Sequence, residues 1–159
     1  MIKAHTKTKD NHPDQLKKLK AALNKYANAH VTIGIHSEAG QYTKGSNPPD
    51  VVQVALWQEF GTEYIPSRSF IRSTIDENEA LINEWREKAL EALLHGKSTV
   101  PKLLESIGFR IQVLIQNKIK SNVPPPLKNP DAKSRKGLAP VTLIETGLLL
   151  RSVTYKVVT

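Results

Sequence analysis

Pro48, Pro49, Gly61 and Pro66 punctuate an apolar, aromatic-rich run from Asp50 to Arg72, and they leave that run few conformations. The proline pair keeps a helix from extending upstream. The Asp50 side chain can accept from the free N–H groups that follow, with Gln53, at the third helical position, able to reach back. A helix is therefore predicted from Val51. In it Val51, Val54, Ala55 and Gln58 share one stripe and Val52, Leu56 and Phe60 the adjacent one, so it is apolar over more than half its circumference and is expected to be buried. Gly61 stops it, because glycine enters the left-handed region without a Cβ penalty. Pro66 disfavours helical geometry at Ile65, so residues 61–67 form a corner, and Ser67 or Ser69 can cap a second helix starting near Phe70.

On either side of this run the apolar periodicity gives the remaining elements. Residues 1–12 are polar, lysine-rich and aperiodic, and read as a flexible basic arm. Leu16, Leu19, Leu23 and Tyr26 recur at helical spacing behind Pro13 and Asp14, with Lys17, Lys18, Lys20 and Lys25 largely outside. Val31 to His36 alternates like a half-buried strand. Residues 37–49, with Gly40, Gly45, Pro48 and Pro49, predict a loop that is either disordered or an interaction arm. Ile71, Ile75, Asn78, Ile82, Trp85, Ala89 and Ala92 argue for one long helix to about His95–Gly96. Leu104, Ile107, Ile111, Leu114 and Ile115 give the next, with Ser98 as its cap and an end near Asn122. These two can pack as an antiparallel hairpin.

Residues 123–139 combine four prolines with basic and polar residues and predict a second long loop. Thr146–Gly147 caps a short turn, and Val153 to Val158 alternates as a strand whose natural partner is Val31–Ile35. The expected fold class is α+β: a small antiparallel sheet packed against several helices, including a long helical hairpin, with long flexible loops. Residues 13–159 are expected to form a single domain, the length being too short for two comfortable ones.

No cysteine is present, which removes disulfides and thiol nucleophiles and fits a reducing cytoplasm. No run of about eighteen apolar residues occurs, so no membrane span is expected, and the first residues lead into no apolar signal region. The formal charge of +8 is unevenly spread. Residues 1–36 hold seven Lys against Asp10 and Asp14, and residues 118–136 hold five Lys and Arg135 against Asp131. Residues 58–95, by contrast, hold eight acids against four Lys and Arg. Such basic stretches attract polyanions or an acidic protein.

Catalytic chemistry has little to stand on. His5, His12, His30, His36 and His95 show no metal-ligand spacing, Ser67 and Ser69 have no motif-linked base, and no phosphate-cradling glycine loop occurs. Asp76, Glu77 and Glu79 offer a carboxylate cluster opposite the Ile75/Ile82/Trp85 stripe, where a solvated face is the simpler reading. No enzyme, metal or cofactor is expected. Arg68, displayed by a proline-set corner beside Glu59 and Glu63, invites an ion pair within or between subunits. Trp57, Phe60, Tyr64 and Phe70 read first as core and second as contact residues.

Leu56-Trp57-Gln58-Glu59-Phe60-Gly61-Thr62 followed by Ile65-Pro66-Ser67-Arg68-Ser69-Phe70-Ile71 resembles the N-E-F/Y-G-T … I-P-x-R-x-F signature of tailed-phage neck, tail-completion and tail-terminator proteins. Leu143-Ile144-Glu145-Thr146-Gly147-Leu148-Leu149-Leu150-Arg151-Ser152-Val153 resembles their second signature, L-I-D-T-G-x-L-x-x-S-I. The sequence departs from the pattern at Gln58, where Asn often stands, and at Ser69, where Pro is frequent. The resemblance implies a non-catalytic virion subunit at the head–tail junction, made in the host cytoplasm. It would assemble as a ring, most simply a hexamer, around the DNA channel, and join connector, neck and tail-tube proteins. Trp57, Glu59, Glu63, Tyr64 and Arg68 become candidate interface residues. Lys128, Lys133, Arg135 and Lys136 become candidates for contact with DNA or an acidic ring, and loops 37–49 and 123–139 for arms that order against neighbours. The competing reading is a small basic nucleic-acid-binding protein, which the charge supports but no recognition motif does.

Overall fold

The structure, a computed structural model, describes residues 12–43, 45–127 and 141–159. The elements run α1 (His12–Lys25), β1 (His30–Ile35), a 3-10 turn (Ser37–Ala39), α2 (Val51–Phe60), α3 (Arg72–Glu77), α4 (Glu79–Leu94), α5 (Val100–Lys120), α6 (Leu148–Ser152) and β2 (Val153–Val158). The protein is an α+β fold. β1 and β2 pair antiparallel over their full lengths, from His30 opposite Val158 to Ile35 opposite Val153. Both strands pack on α5, whose buried stripe is Gly108, Ile111, Ile115 and Ile119. Around that stripe gather Val51, Phe70, Leu149 and Val153. α4 folds back on α5 as the expected hairpin, Trp85 receiving Arg110 over its ring.

Gly108 sets how close the sheet can come. A Cβ at this position would lie 2.8 Å from both Tyr155 Cδ2 and Val31 Cγ2, one atom from each strand. The helix therefore has a notch where the strand pair is seated, and the missing side chain is what permits the approach.

Four expectations are corrected. The long helix from Phe70 to His95 is divided at Asn78, whose side-chain amide donates to Thr74 O at 2.8 Å, while its own N–H turns to Ile75 O at 3.2 Å. A side chain competing for a helical carbonyl is a standard way to interrupt a helix. α5 is preceded by Thr99, with Pro101 in its first turn, and not capped by Ser98. The described part of loop 37–49 is folded back on itself: Tyr42 N–H donates to Pro49 O, Val51 N–H donates to Gly40 O, and Gln41 and Asp50 form a bridge. Finally, α2 buries only Val51, Ala55 and Glu59, and its Leu56 and Phe60 remain exposed.

The arm at residues 1–11 and the basic part of the second loop, residues 128–140, lie outside the described residues. Lys128, Lys133, Arg135 and Lys136 are therefore not placed. Among the described residues no helix is long and apolar enough to cross a membrane.

Candidate functional site

The corner after α2 is built from the inside outward. Asp50 caps the helix, its Oδ1 accepting from Gln53 N–H at 2.6 Å. Gly61 closes it in a φ of 79°, donating to Trp57 O at 2.9 Å. A Cβ there would meet Ser67 N at 2.9 Å and Ile65 O at 3.0 Å, so both the dihedral and the space call for glycine. The Thr62 hydroxyl accepts from Tyr64 and Ile65 N–H, and Thr62 N–H donates to Ile65 O at 2.8 Å. Residues 61–67 thus form a turn with its own hydrogen bonds rather than a slack connection.

Glu59 sits behind this turn, 5% exposed. Its carboxylate accepts from the Ser69 hydroxyl at 2.6 Å and from three backbone N–H groups, Phe70 at 2.8 Å, Ile71 at 2.9 Å and Arg72 at 3.0 Å. These N–H groups open α3, so the side chain of one helix caps the next. Burial pushes the carboxyl up, but the four donors outweigh it and hold Glu59 below the usual carboxylate range.

Arg68, 6% exposed, is also spent internally. Its Nε donates to Pro125 O at 2.8 Å, one Nη to Pro126 O at 3.3 Å and the other Nη to Gln58 Oε1 at 3.4 Å. Burial lowers its pKa, and it stays cationic. The expected ion pair of Arg68 with Glu59 or Glu63 is absent among the described residues. Each charge is better served by fixed backbone dipoles than by the other. Arg68 instead fastens the end of the described polyproline stem, 123–127, to the corner. Arg68→Lys cannot reproduce a planar fork, and a loss of about 2 kcal/mol is expected. Faster hydrogen exchange at Val123 and Leu127 would accompany it.

Large apolar side chains remain on the outside. Leu56 is 52% exposed, Phe60 64% and Tyr64 83%. Leu56 and Phe60 stand one turn apart on α2, and the Arg72 guanidinium lies 5.9 Å from the Phe60 ring centroid. Glu63 is exposed beside Tyr64, and Trp57 is half-buried. Of the five candidate interface residues, Glu63 and Tyr64 are thus at the surface, Trp57 is partly so, and Glu59 and Arg68 are internal fasteners.

The second motif block comes to the same place. α6 packs on α2, and between them lies a groove of about 190 Å³ lined by Tyr42, Val54, Gln58, Leu143, Thr146 and Leu148, among others. Thr146 Oγ1 accepts from Leu148 N–H at 3.2 Å, the cap expected of the Thr146–Gly147 pair, and Gly147 takes the left-handed conformation at the start of α6. Burial raises the pKa of the Tyr42 hydroxyl, with the charge of Glu145 adding and that of Arg151 opposing. No family model, curated protein or solved structure matches the chain.

The groove was not foreseen from the sequence. Gln58, a polar residue on the helix's otherwise apolar stripe, was the one local hint of it. Asp76, Glu77 and Glu79 are exposed, with Glu77 paired to Lys118 at 2.6 Å. Among the described residues no group of three His, Cys, Asp or Glu could hold a metal ion.

Proposed function

We propose that this chain is a structural subunit of the phage head–tail junction, a neck, tail-completion or tail-terminator protein that assembles as a ring, most simply of six copies, and joins tail to head. The observation that carries the reading is the meeting of the two motif blocks. Residues 56–71 and 143–153 are far apart in sequence, yet α2 and α6 share one groove and one stretch of core. The corner beside them is internally fastened and presents aromatic side chains to solvent. A rigid turn that exposes Phe60 and Tyr64 suits a protein whose work is contact with other subunits.

A second reading rests on α1, where Lys17, Lys18, Lys20 and Lys25 are all exposed, as a surface for phosphate backbones would be. Electron microscopy of lysates from the parent phage carrying a stop codon at Trp57 separates the two. Full heads lying apart from tails are expected, and tails of abnormal length would indicate the terminator position. Intact, infectious virions would overturn the junction reading and favour the nucleic-acid one.

A further inference from the structure

The two flanks of α5 are treated differently by the rest of the chain. Lys118 Nζ donates to the Glu77 carboxylate of α3 at 2.6 Å, so α3 lies against one flank. Phe109 stands nine residues before Lys118, and at 3.6 residues per turn that sets it about 180° away around the helix axis. By the same arithmetic Gln116 lies within about 20° of Phe109, and its Nε2 donates to Val153 O, at the start of β2, at 3.4 Å. The Phe109 flank is therefore the β2 side of the helix.

The two strands differ accordingly. β1 has α2 beside it, and Ile71 Cδ1 lies 3.8 Å from where a Cβ of Gly34 would stand. β2 packs on β1, on α5 and on α6, the helix it continues, and no described strand pairs with its other edge. Beyond Val153, no backbone hydrogen bond to a described residue leaves that edge. Phe109 and Val158 are both exposed. We infer that β2 pairs antiparallel with β2 of a second copy across a two-fold axis, continuing the sheet as β1-β2-β2-β1, and that the second copy's α5 covers Phe109. The inference makes no use of the junction reading, and a ring built through other faces can contain such pairs.

An antiparallel strand edge is complementary to itself, so a two-fold axis brings its donors onto its acceptors without a second patch. Spacing agrees. Val31 and Tyr155, one from each strand, both approach Gly108, so α5 lies over the strand pair. With strands about 4.8 Å apart, a helix so placed is about 4.8 Å from an axis at the outer edge of β2. The two α5 helices are then roughly 10 Å apart, within the range of about 8–10 Å at which helices pack. Val153, Tyr155 and Val157 share the face that meets α5, so the longer sheet keeps one apolar side under both helices. Lysine on an edge ordinarily keeps strands apart. Lys156, the single charge in β2, is already bonded to Glu38 at 2.6 Å.

The chain has no cysteine, so an introduced thiol reports only itself. Residue 156 lies near the middle of β2, where a two-fold axis brings it close to its own copy. Treated with a short bismaleimide and resolved on a denaturing gel, full-length Lys156→Cys is expected to give a covalent dimer and nothing larger. Glu87→Cys, on the exposed face of α4, should stay monomeric under the same conditions. Adding Phe109→Glu, a change at an exposed side chain, to Lys156→Cys should abolish the dimer. No dimer, a dimer indifferent to Phe109→Glu, or equal linking of Glu87→Cys would each overturn the pairing. Hydrogen exchange gives a reading without the thiol: β2 amides not bonded to β1 should exchange slowly in the parent protein and quickly in Phe109→Glu. Fast exchange in both would show a bare edge, slow exchange in both an edge covered by this chain's own residues, and either would overturn the inference.

Discussion

Glu59→Ala is expected to cost about 3–4 kcal/mol, a large part of the stability of a domain this size, because it strands the buried Phe70 N–H and the part-buried Ile71 N–H, Arg72 N–H and Ser69 hydroxyl together. Glu59→Gln should be nearly as damaging. Oε1 accepts from Ser69 and Arg72 while Oε2 accepts from Phe70 and Ile71, so an amide NH₂ faces at least one fixed backbone N–H in either orientation. Neighbouring Glu63→Ala, at an exposed site, should change stability by less than about 0.5 kcal/mol. Urea unfolding of the three variants decides it; a Glu59→Gln midpoint equal to that of the parent protein would mean that the cap contributes nothing.

The same site gives the protein an acid limit. A carboxylate held below its ordinary value of 4.5 contributes stability that is complete above that value and is lost as pH falls through the lower, folded-state one. Melting temperature should therefore drop below about pH 4.5, and Glu59→Ala, less stable throughout, should show a shallower drop. Glu38 and Glu84 are also lowered, each chiefly by a lysine hydrogen bond, from Lys156 and Lys88 respectively. Both lie on the surface, where such pairs contribute little.

Gly108→Ala is the second large effect. Alanine is favoured over glycine in a helix interior by about 1 kcal/mol, so on propensity alone the change would stabilise. Here the new methyl would lie 2.8 Å from Tyr155 and Val31, and because both belong to paired strands neither can withdraw without moving the sheet. Net destabilisation of about 1–3 kcal/mol is expected, as for other insertions into packed interiors. Truncating the obstruction tests the cause: the penalty for Gly108→Ala should shrink in a Tyr155→Leu background, and a penalty independent of residue 155 would place the effect elsewhere.

Much of the architecture was legible because it follows periodicity. The alternation at Val31–His36 and Val153–Val158 gave both strands and their pairing, and the three–four spacing of Leu104, Ile107, Ile111, Leu114 and Ile115 gave the helix beneath them. Asp50, Gly61 and Thr146–Gly147 were readable as caps because their chemistry is local. The division at Asn78 was not, since the competing side-chain bond to Thr74 is invisible in an apolar pattern that continues on both sides. Gly108 carries no signal in an apolar pattern; only the strands brought over it give it meaning. At the site, Glu59 and Arg68 are expected to pair with each other and are instead bonded separately inside the chain. Opposite charges nine residues apart suggest each other, whereas the groups that actually satisfy them are backbone N–H and carbonyl groups that every sequence possesses. Burial of α2 was overestimated for a related reason: an apolar stripe shows that a face avoids water, not that this chain supplies its cover.

Asn122, in a left-handed conformation with φ 62°, accepts through its Oδ1 from both the N–H and the hydroxyl of Thr142, while Arg68 holds the carbonyls of Pro125 and Pro126. Together they make a fixed gate: the chain leaves the body at Leu127 and returns at Val141 through stems pinned to the core and to each other. The framework that holds α2, α3 and α6 is thereby tied off at both stems by hydrogen bonds of its own.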